Sequence, residues 1–324
     1  MTLRVGLIGA RGYVGRELLV LIARHPELEL AYASSREWAG KPVAEMLETG
    51  NAAAFGGLQF EALDPDAAAS RGADVVFLGL PNGKSAPFVS ALVQHKPDVV
   101  IIDLSGDHRH EHDWVYGLPE RNRSKMIGAT RIANPGCYAT AAQLAILPLK
   151  GLLSGPAYVF GISGWSGAGT TPSRKNDPEA LKDNVIPYGL TGHAHEREIA
   201  AHSGEDIRFT PTVASFYRGL VVVVSCSLIS SSTSEKLSRL YQDTFANEPY
   251  AAISEAPAEP AMAAYTYQCL VGLPQVNEDG RGVVITAALD NLLKGAASQA
   301  IQNLNIAFGW PENAGLGSLS SGRA

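Results

Sequence analysis

Short runs of aliphatic and β-branched residues recur through the first half of the chain, each separated from the next by helical spacing or polar turns. The runs are LRVGLIG (3–9), ELELAYASS (27–35), DVVFLGL (74–80) and DVVIIDL (98–104). Between them, VGRELLVLIARH (14–25) and SAPFVSALVQH (85–95) carry apolar residues on one helical face. MIGATRIAN (126–134) reads as a further strand. Apolar strands alternating with helices imply βαβ units and a parallel sheet covered on both faces. With 324 residues the chain exceeds one typical core, so two domains are expected.

After residue 150 the pattern changes. AYVFGISG (157–164) is a strand, and SGAGTTPSRKNDPEA reads as a long polar loop. FTPTV, GLVVVVSCSLIS, AYTYQCLVGL and GRGVVITAALD are strands with few helices between them, TSEKLSRLYQDTFANE being one. This half reads as α+β with a mixed or antiparallel sheet. A last helix is expected over 291–308, returning to the first domain. The fold expectation is α/β: a Rossmann-type parallel-sheet domain (1–136 with 291–324) plus an α+β catalytic, substrate and oligomerisation domain (137–290). Long strands in the second half favour a homo-dimer or homo-tetramer.

The net charge of -6 and the lack of a basic run argue against a nucleic-acid partner. No apolar stretch reaches transmembrane length, and the N-terminus lacks the pattern of a signal peptide. Three widely spaced cysteines, none in a CxxC, suit a reducing cytoplasm and neither a disulfide framework nor a zinc site.

GARGYVG (9–15) follows the first strand and opens the first helix. Gly9 permits the turn, Gly12 lets backbone approach a pyrophosphate, and Gly15 lets helix and strand pack closely. The spacing is GxxGxxG, and a purely structural turn is the competing explanation. The second strand ends in Ser34-Ser35-Arg36 where an NAD site usually carries a carboxylate. Two hydroxyls and a guanidinium suit a 2′-phosphate, so NADP(H) is preferred over NAD(H). An exposed polar turn is the alternative.

NPGCYAT (134–140) places Cys137 after a Pro-Gly turn, at the start of a helical pattern. There the helix dipole and free N–H groups favour a thiolate. Gly136 leaves room for a carbonyl, and nearby N–H groups could hold an oxyanion. The competing reading is a small buried hydrophobe, which is assigned to Cys226 and Cys269 inside strand patterns. His193 and His195 in GHAHEREI (192–199) would face one way on an extended segment and offer an acid/base partner. No third ligand has convincing spacing, so no metal is expected. HRHEH (108–112) reads as exposed surface, apart from Arg109.

GARGYVG, LSGDHR (104–109), YGLPE (116–120), NPGCYAT, SGWSGAG (163–169), HAHEREI (193–199) and DNLLKGAASQAIQN (290–303) span nearly the whole chain. In that order they resemble the N-acetyl-γ-glutamyl-phosphate reductase family, which is related to aspartate-semialdehyde dehydrogenase. The chain departs from the family at His108, where an aromatic is common, and at Ala194 and Arg197, where a basic residue and a proline are common.

The resemblance implies NADPH-dependent reduction of N-acetyl-γ-glutamyl phosphate, an acyl phosphate, to the semialdehyde and inorganic phosphate through a thioester on Cys137. His195 is implied as the proton-transfer partner and His193 as a substrate contact. Arg109 would bind the departing phosphate, Asn134 would orient the catalytic loop, and Arg218 would meet the substrate carboxylate. Arg11, Tyr13 and Val14 join the three turn glycines as cofactor contacts. Pro81, Ser166, Gly167 and Asn291 complete that set, with Ala168 and Lys294 beside them.

Two other readings stay open. One is a sister acyl-phosphate reductase acting on aspartyl or aminoadipyl phosphate. The other is a non-catalytic dinucleotide sensor, which retention of Cys137 and the HxH pair disfavours.

Overall fold

In the computed structural model, residues 2–47 and 55–317 are described. They form two compact units, Met1–Pro135 with Ala296–Ser318, and Gly136–Gly295.

The first unit contains β1 (Leu3–Ile8), α1 (Tyr13–Arg24), β2 (Leu28–Ser34), β3 (Phe60–Glu61), α2 (Pro65–Ser70), β4 (Val75–Leu78) and α3 (Ala86–His95). Next come β5 (Val100–Asp103), β6 (Val115–Tyr116), α4 (Pro119–Met126) and β7 (Arg131–Ala133). The strand order is β3-β2-β1-β4-β5-β7-β6, and every pairing is parallel. All four residues of β4 and of β5 are buried, as expected for a sheet covered on both faces. The order reverses at β1 and β4, the place where such sheets bind ligands beyond their C-terminal strand ends. The strand expected over 126–134 is confined to Arg131–Ala133, and Pro119 at the first helical position starts α4 before it.

The second unit begins with α5 (Cys137–Ile146) and continues through β8 (Ala157–Gly164), α6 (Pro178–Leu181), β9 (Val185–Pro187), α7 (Ala194–Ser203) and β10 (Ile207–Ala214). It ends with β11 (Leu220–Ser227), α8 (Ser234–Phe245), β12 (Ala251–Ser254), α9 (Pro260–Ala263), β13 (Cys269–Gly272), β14 (Gln275–Val276) and β15 (Gly282–Leu289). The mixed sheet runs β12-β13-β15-β11-β8-β10-β9, with β14 paired to β15. The β8–β10 and β12–β13 pairings are parallel and the others antiparallel. Helix α5 is buried from Tyr138 to Ile146 and packs on β11, β15 and α7. A Cβ at Gly161 would strike the Tyr138 ring, so the glycine lets this helix lie on β8.

The chain then returns to the first unit as α10 (Ala297–Ala307). This helix starts six residues later than expected. Leu292, Leu293 and the alanines look helical, but the Asp290 carboxylate accepts the N–H groups of Leu292 and Leu293, and Gly295 N–H closes on the Asp290 carbonyl. The segment 290–295 is therefore a turn. Helix α10 packs on α1, where the buried pair His25–Asn305 meets at 2.9 Å.

No helix among the described residues is long and apolar enough to cross a membrane, and no group of three His, Cys, Asp or Glu among them is placed to hold a metal ion.

Candidate active site

Cys137 is the first residue of α5, with Gly136 as the N-cap and no side chain capping the helix. It is half-buried. The other two cysteines are fully enclosed, and burial pushes the Cys226 thiol up to about 11. A buried thiol of that kind is a poor nucleophile at neutral pH. The chain passes so close to Cys137 that a Cβ at Gly295 would stand 2.7 Å from the Cys137 Cβ.

A cavity of about 200 Å³ opens beside the thiol. Its wall includes Cys137, Gly167, Lys175, Tyr188, His193 and His195. The two histidines are not on an extended segment. His193 is the N-cap of α7, and its Nδ1 accepts the N–H of His195 at 3.2 Å. As an acceptor, this nitrogen carries no proton. Burial, followed by the nearby Lys175 ammonium, holds the His193 pKa below the usual histidine value. His193 is therefore a neutral ring anchored by the helix start. The His195 ring lies 5.0 Å from it, and its Nε2 is 4.0 Å from Glu198 Oε2.

Glu198 stands on the same helix as His195. It is 1% exposed, and its Oε1 accepts the Gly136 N–H at 2.9 Å. One buried carboxylate thus binds the start of the cysteine helix and lies near the histidine. Its signal was present as HxHxxE, since i and i+3 share a helical face. Glu196 also braces α7, accepting the Phe209 N–H at 2.8 Å.

Several anticipated contacts prove to be braces. The expected loop after β8 is a series of short turns. Ser166 is buried, and its hydroxyl accepts from Asn291 Nδ2 at 2.9 Å, while Asn291 Oδ1 accepts the Gly219 N–H at 2.7 Å. Gly167 and Ala168, rather than Ser166, reach the cavity wall. Arg218 is not on that wall. Its Nε and Nη2 form a two-pronged ion pair with Asp290 at 2.6 and 3.0 Å, and the guanidinium stacks on Tyr265 at 4.4 Å. Lys294 is buried beside the Tyr250 ring.

In the first unit, Asn134 is 1% exposed. Its amide donates to the Ala296 carbonyl and accepts from Asn303, so it ties the end of β7 to α10. Arg109 donates to the carbonyls of Asn134 and Leu104. His108 is a correction to the surface reading. It is buried, stacked on Trp114 at 4.1 Å, and bonded to Glu111 and Ser85 at 2.7 and 3.1 Å.

The glycine turn fits a dinucleotide pyrophosphate. Gly9 adopts φ 82°, and a Cβ there would strike the Gly79 carbonyl. A Cβ at Gly15 would strike the Ala10 carbonyl, whereas one at Gly12 would meet only the Gly9 carbonyl at 3.9 Å. Helix α1, carrying Tyr13 and Val14, starts at Gly12 with no side-chain cap and no acidic residue in its first turn, leaving an electropositive end. The hydroxyls of Ser34 and Ser35 are buried and accept the N–H groups of Leu63 and Trp38. Arg36 and Pro81 are exposed, and Arg11 pairs with Glu37 at 2.6 Å.

Residues 4–129 match the family model described as semialdehyde dehydrogenase, NAD binding domain, and residues 137–291 match semialdehyde dehydrogenase, dimerisation domain. An N-acetyl-gamma-glutamyl-phosphate reductase from Xanthomonas campestris pv. campestris is 48% identical over 313 residues, covering 97% of this chain and 98% of the relative. The chain belongs to the N-acetyl-gamma-glutamyl-phosphate reductase family. A member of that family from Stenotrophomonas maltophilia is likewise 48% identical, over 96% of this chain and 97% of its own. Aspartate semialdehyde dehydrogenase II from Vibrio cholerae, solved complexed with ASA, has the same fold at a TM-score of 0.75, with 17% identity over 94% of this chain and 98% of that one. The reductase family thus shares its two-unit plan with proteins of low sequence identity.

Proposed function

We propose that this protein reduces N-acetyl-γ-glutamyl phosphate with NADPH to N-acetyl-glutamate semialdehyde and inorganic phosphate, a step of arginine biosynthesis. The observation that carries the reading is the shared cavity of Cys137 and His195, in a chain that matches reductases of this name nearly end to end.

The Cys137 thiolate attacks the acyl carbonyl carbon. The carbon–oxygen bond to phosphate breaks, phosphate leaves, and a thioester remains on Sγ. The glycine turn would hold NADPH, with the exposed Arg36 a candidate for its 2′-phosphate, and the bound cofactor would supply the hydride that reduces the thioester. His195, its Nε2 4.0 Å from the Glu198 carboxylate, holds the proton exchanged at the thiohemiacetal oxygen. Collapse of the thiohemiacetal releases the aldehyde and restores the thiolate. Arg109 is the candidate for the departing phosphate. A reducing cytoplasm suits a nucleophile that must stay a free thiol.

The test runs the reaction in reverse, as phosphate-dependent reduction of NADP+ or NAD+ with competing aldehydes. N-acetyl-glutamate semialdehyde is expected to exceed aspartate semialdehyde by at least ~100-fold in kcat/KM, and NADP+ to exceed NAD+ by about tenfold. Preference for the aspartyl aldehyde would move the protein to the sister reductases. Dinucleotide binding without turnover of either aldehyde would favour a sensor.

The second unit also presents an apolar sheet face. Tyr158 of β8 is 59% exposed and Phe160 is 43% exposed, and Val284 of β15 is 40% exposed. Tyr158, Ser225 and Val284 stand in one cross-strand row, and Phe160, Val223 and Thr286 in the next. We assign this face to contact with a second copy of the chain, as the matched dimerisation model suggests. Phe160→Asp is expected to at least halve the sedimentation mass at micromolar concentration. An unchanged mass would reject this face as the interface.

A further inference from the structure

We propose that Lys175 recognises the substrate's carboxylate and sets the preference for an N-acylated amino acid. This inference rests on the reaction proposed above. Arg218, the guanidinium first expected to do this, is bound by both prongs to Asp290 and lies off the cavity wall. Among the residues lining the cavity, Lys175 is the one lysine or arginine, and none is Asp or Glu.

The lysine is held in place from both sides. It lies in the short turn Arg174–Asn176, which Ser173 and Asn176 close by reciprocal hydrogen bonds. Asn176 Nδ2 also donates to the carbonyls of Gly169 and Thr171, at 2.9 and 2.8 Å. The turn is therefore tied to the segment that supplies Gly167 and Ala168 to the wall. The Lys175 Nζ sits 4.5 Å from the centre of the Tyr188 ring, itself a wall residue. No ion pair to Lys175 occurs among the described residues, so its charge is available to a ligand anion.

The ligand chemistry follows. An N-acylated amino acid offers a carboxylate beside a neutral amide. A free amino acid offers a carboxylate beside an ammonium, which Lys175 would repel and no wall carboxylate would balance. The preference thus arises as much from rejection of the second cation as from attraction of the carboxylate.

Lys175→Met tests this, because it keeps a stem to lie on Tyr188 and removes the charge. In the reverse reaction, the KM for N-acetyl-glutamate semialdehyde is expected to rise about 10- to 100-fold, with a smaller effect on kcat and no change in the KM for phosphate. Lys175→Arg should recover part of the loss. An unchanged aldehyde KM would overturn the proposal. So would a rise confined to the phosphate KM, which would give Lys175 to the phosphoryl group. A second readout needs no turnover: N-acetylglutamate should slow alkylation of Cys137 in the wild type and not in Lys175→Met. Equal protection in both proteins, or none in either, would overturn the assignment. If protection behaves as expected but the wild type turns over no N-acetylated aldehyde, the reaction reading fails while the lysine site stands.

Discussion

Cys137→Ser is expected to lower turnover by at least ~10³-fold while leaving the melting temperature within about 2 °C of wild type. A serine hydroxyl fits the space of the thiol but is far less ionised at neutral pH. The helix start that favours a thiolate cannot compensate for that difference. The stability arm follows from position. Cys137 is the first residue of α5, half-buried and open to a cavity, so no packed core atom is lost. Single-turnover hydride transfer, monitored at the nicotinamide absorbance, should disappear with the steady-state rate. Cys226→Ser serves as the contrast. Its sulfur lies inside the β11 layer against the Val283 carbonyl, so activity should persist whatever the change in stability. Residual turnover above about 10% in Cys137→Ser would remove the thioester from the mechanism.

Glu198 carries the second large effect, and two substitutions separate its roles. Glu198→Ala removes the acceptor of the Gly136 N–H and leaves a void in a site that is 1% exposed. A loss of about 2–4 kcal/mol is expected, with a melting temperature lower by about 5–10 °C. Glu198→Gln keeps a carbonyl oxygen for Gly136 and removes the charge beside His195, so the fold should lose little. Activity in Glu198→Gln should still fall by about 10²-fold, because the imidazole loses the carboxylate that lies 4.0 Å from its Nε2. A Gln variant as active as wild type would reduce Glu198 to a structural tie. Circular-dichroism melting and kcat/KM on the same preparations decide between these outcomes.

The sequence made the parallel domain legible because its strands are short, apolar and separated by helical spacing. β8 was readable to the residue for a related reason: AYVFGISG alternates large side chains with small ones that sit beneath α5. The histidine pair was harder. A spacing of two matches an extended segment, and a histidine capping a helix is uncommon beside serine, threonine or aspartate. The segment 290–295 misled through composition, since leucine and alanine favour helix while the Asp290 carboxylate imposes a turn. Glu198 needed a contact across 62 positions with Gly136, which no local pattern contains. Arg218 and Asn134 look like ligand residues in isolation. Their partners, Asp290 and Asn303, lie 72 and 169 positions away and become visible only when the chain is folded.

Helix α10 has a consequence for how the chain is made. It is buried along its whole length and fills the side of the first unit where α1 and α4 meet it. That unit is therefore discontinuous: its first 135 residues emerge from the ribosome long before the helix that completes their core. Residues 136–295 form one uninterrupted stretch, with strands that find most of their partners within it. The second unit can finish folding while the first still waits with an open apolar flank. The nucleotide-binding half, although it comes first in the sequence, is then the last part of the molecule to close.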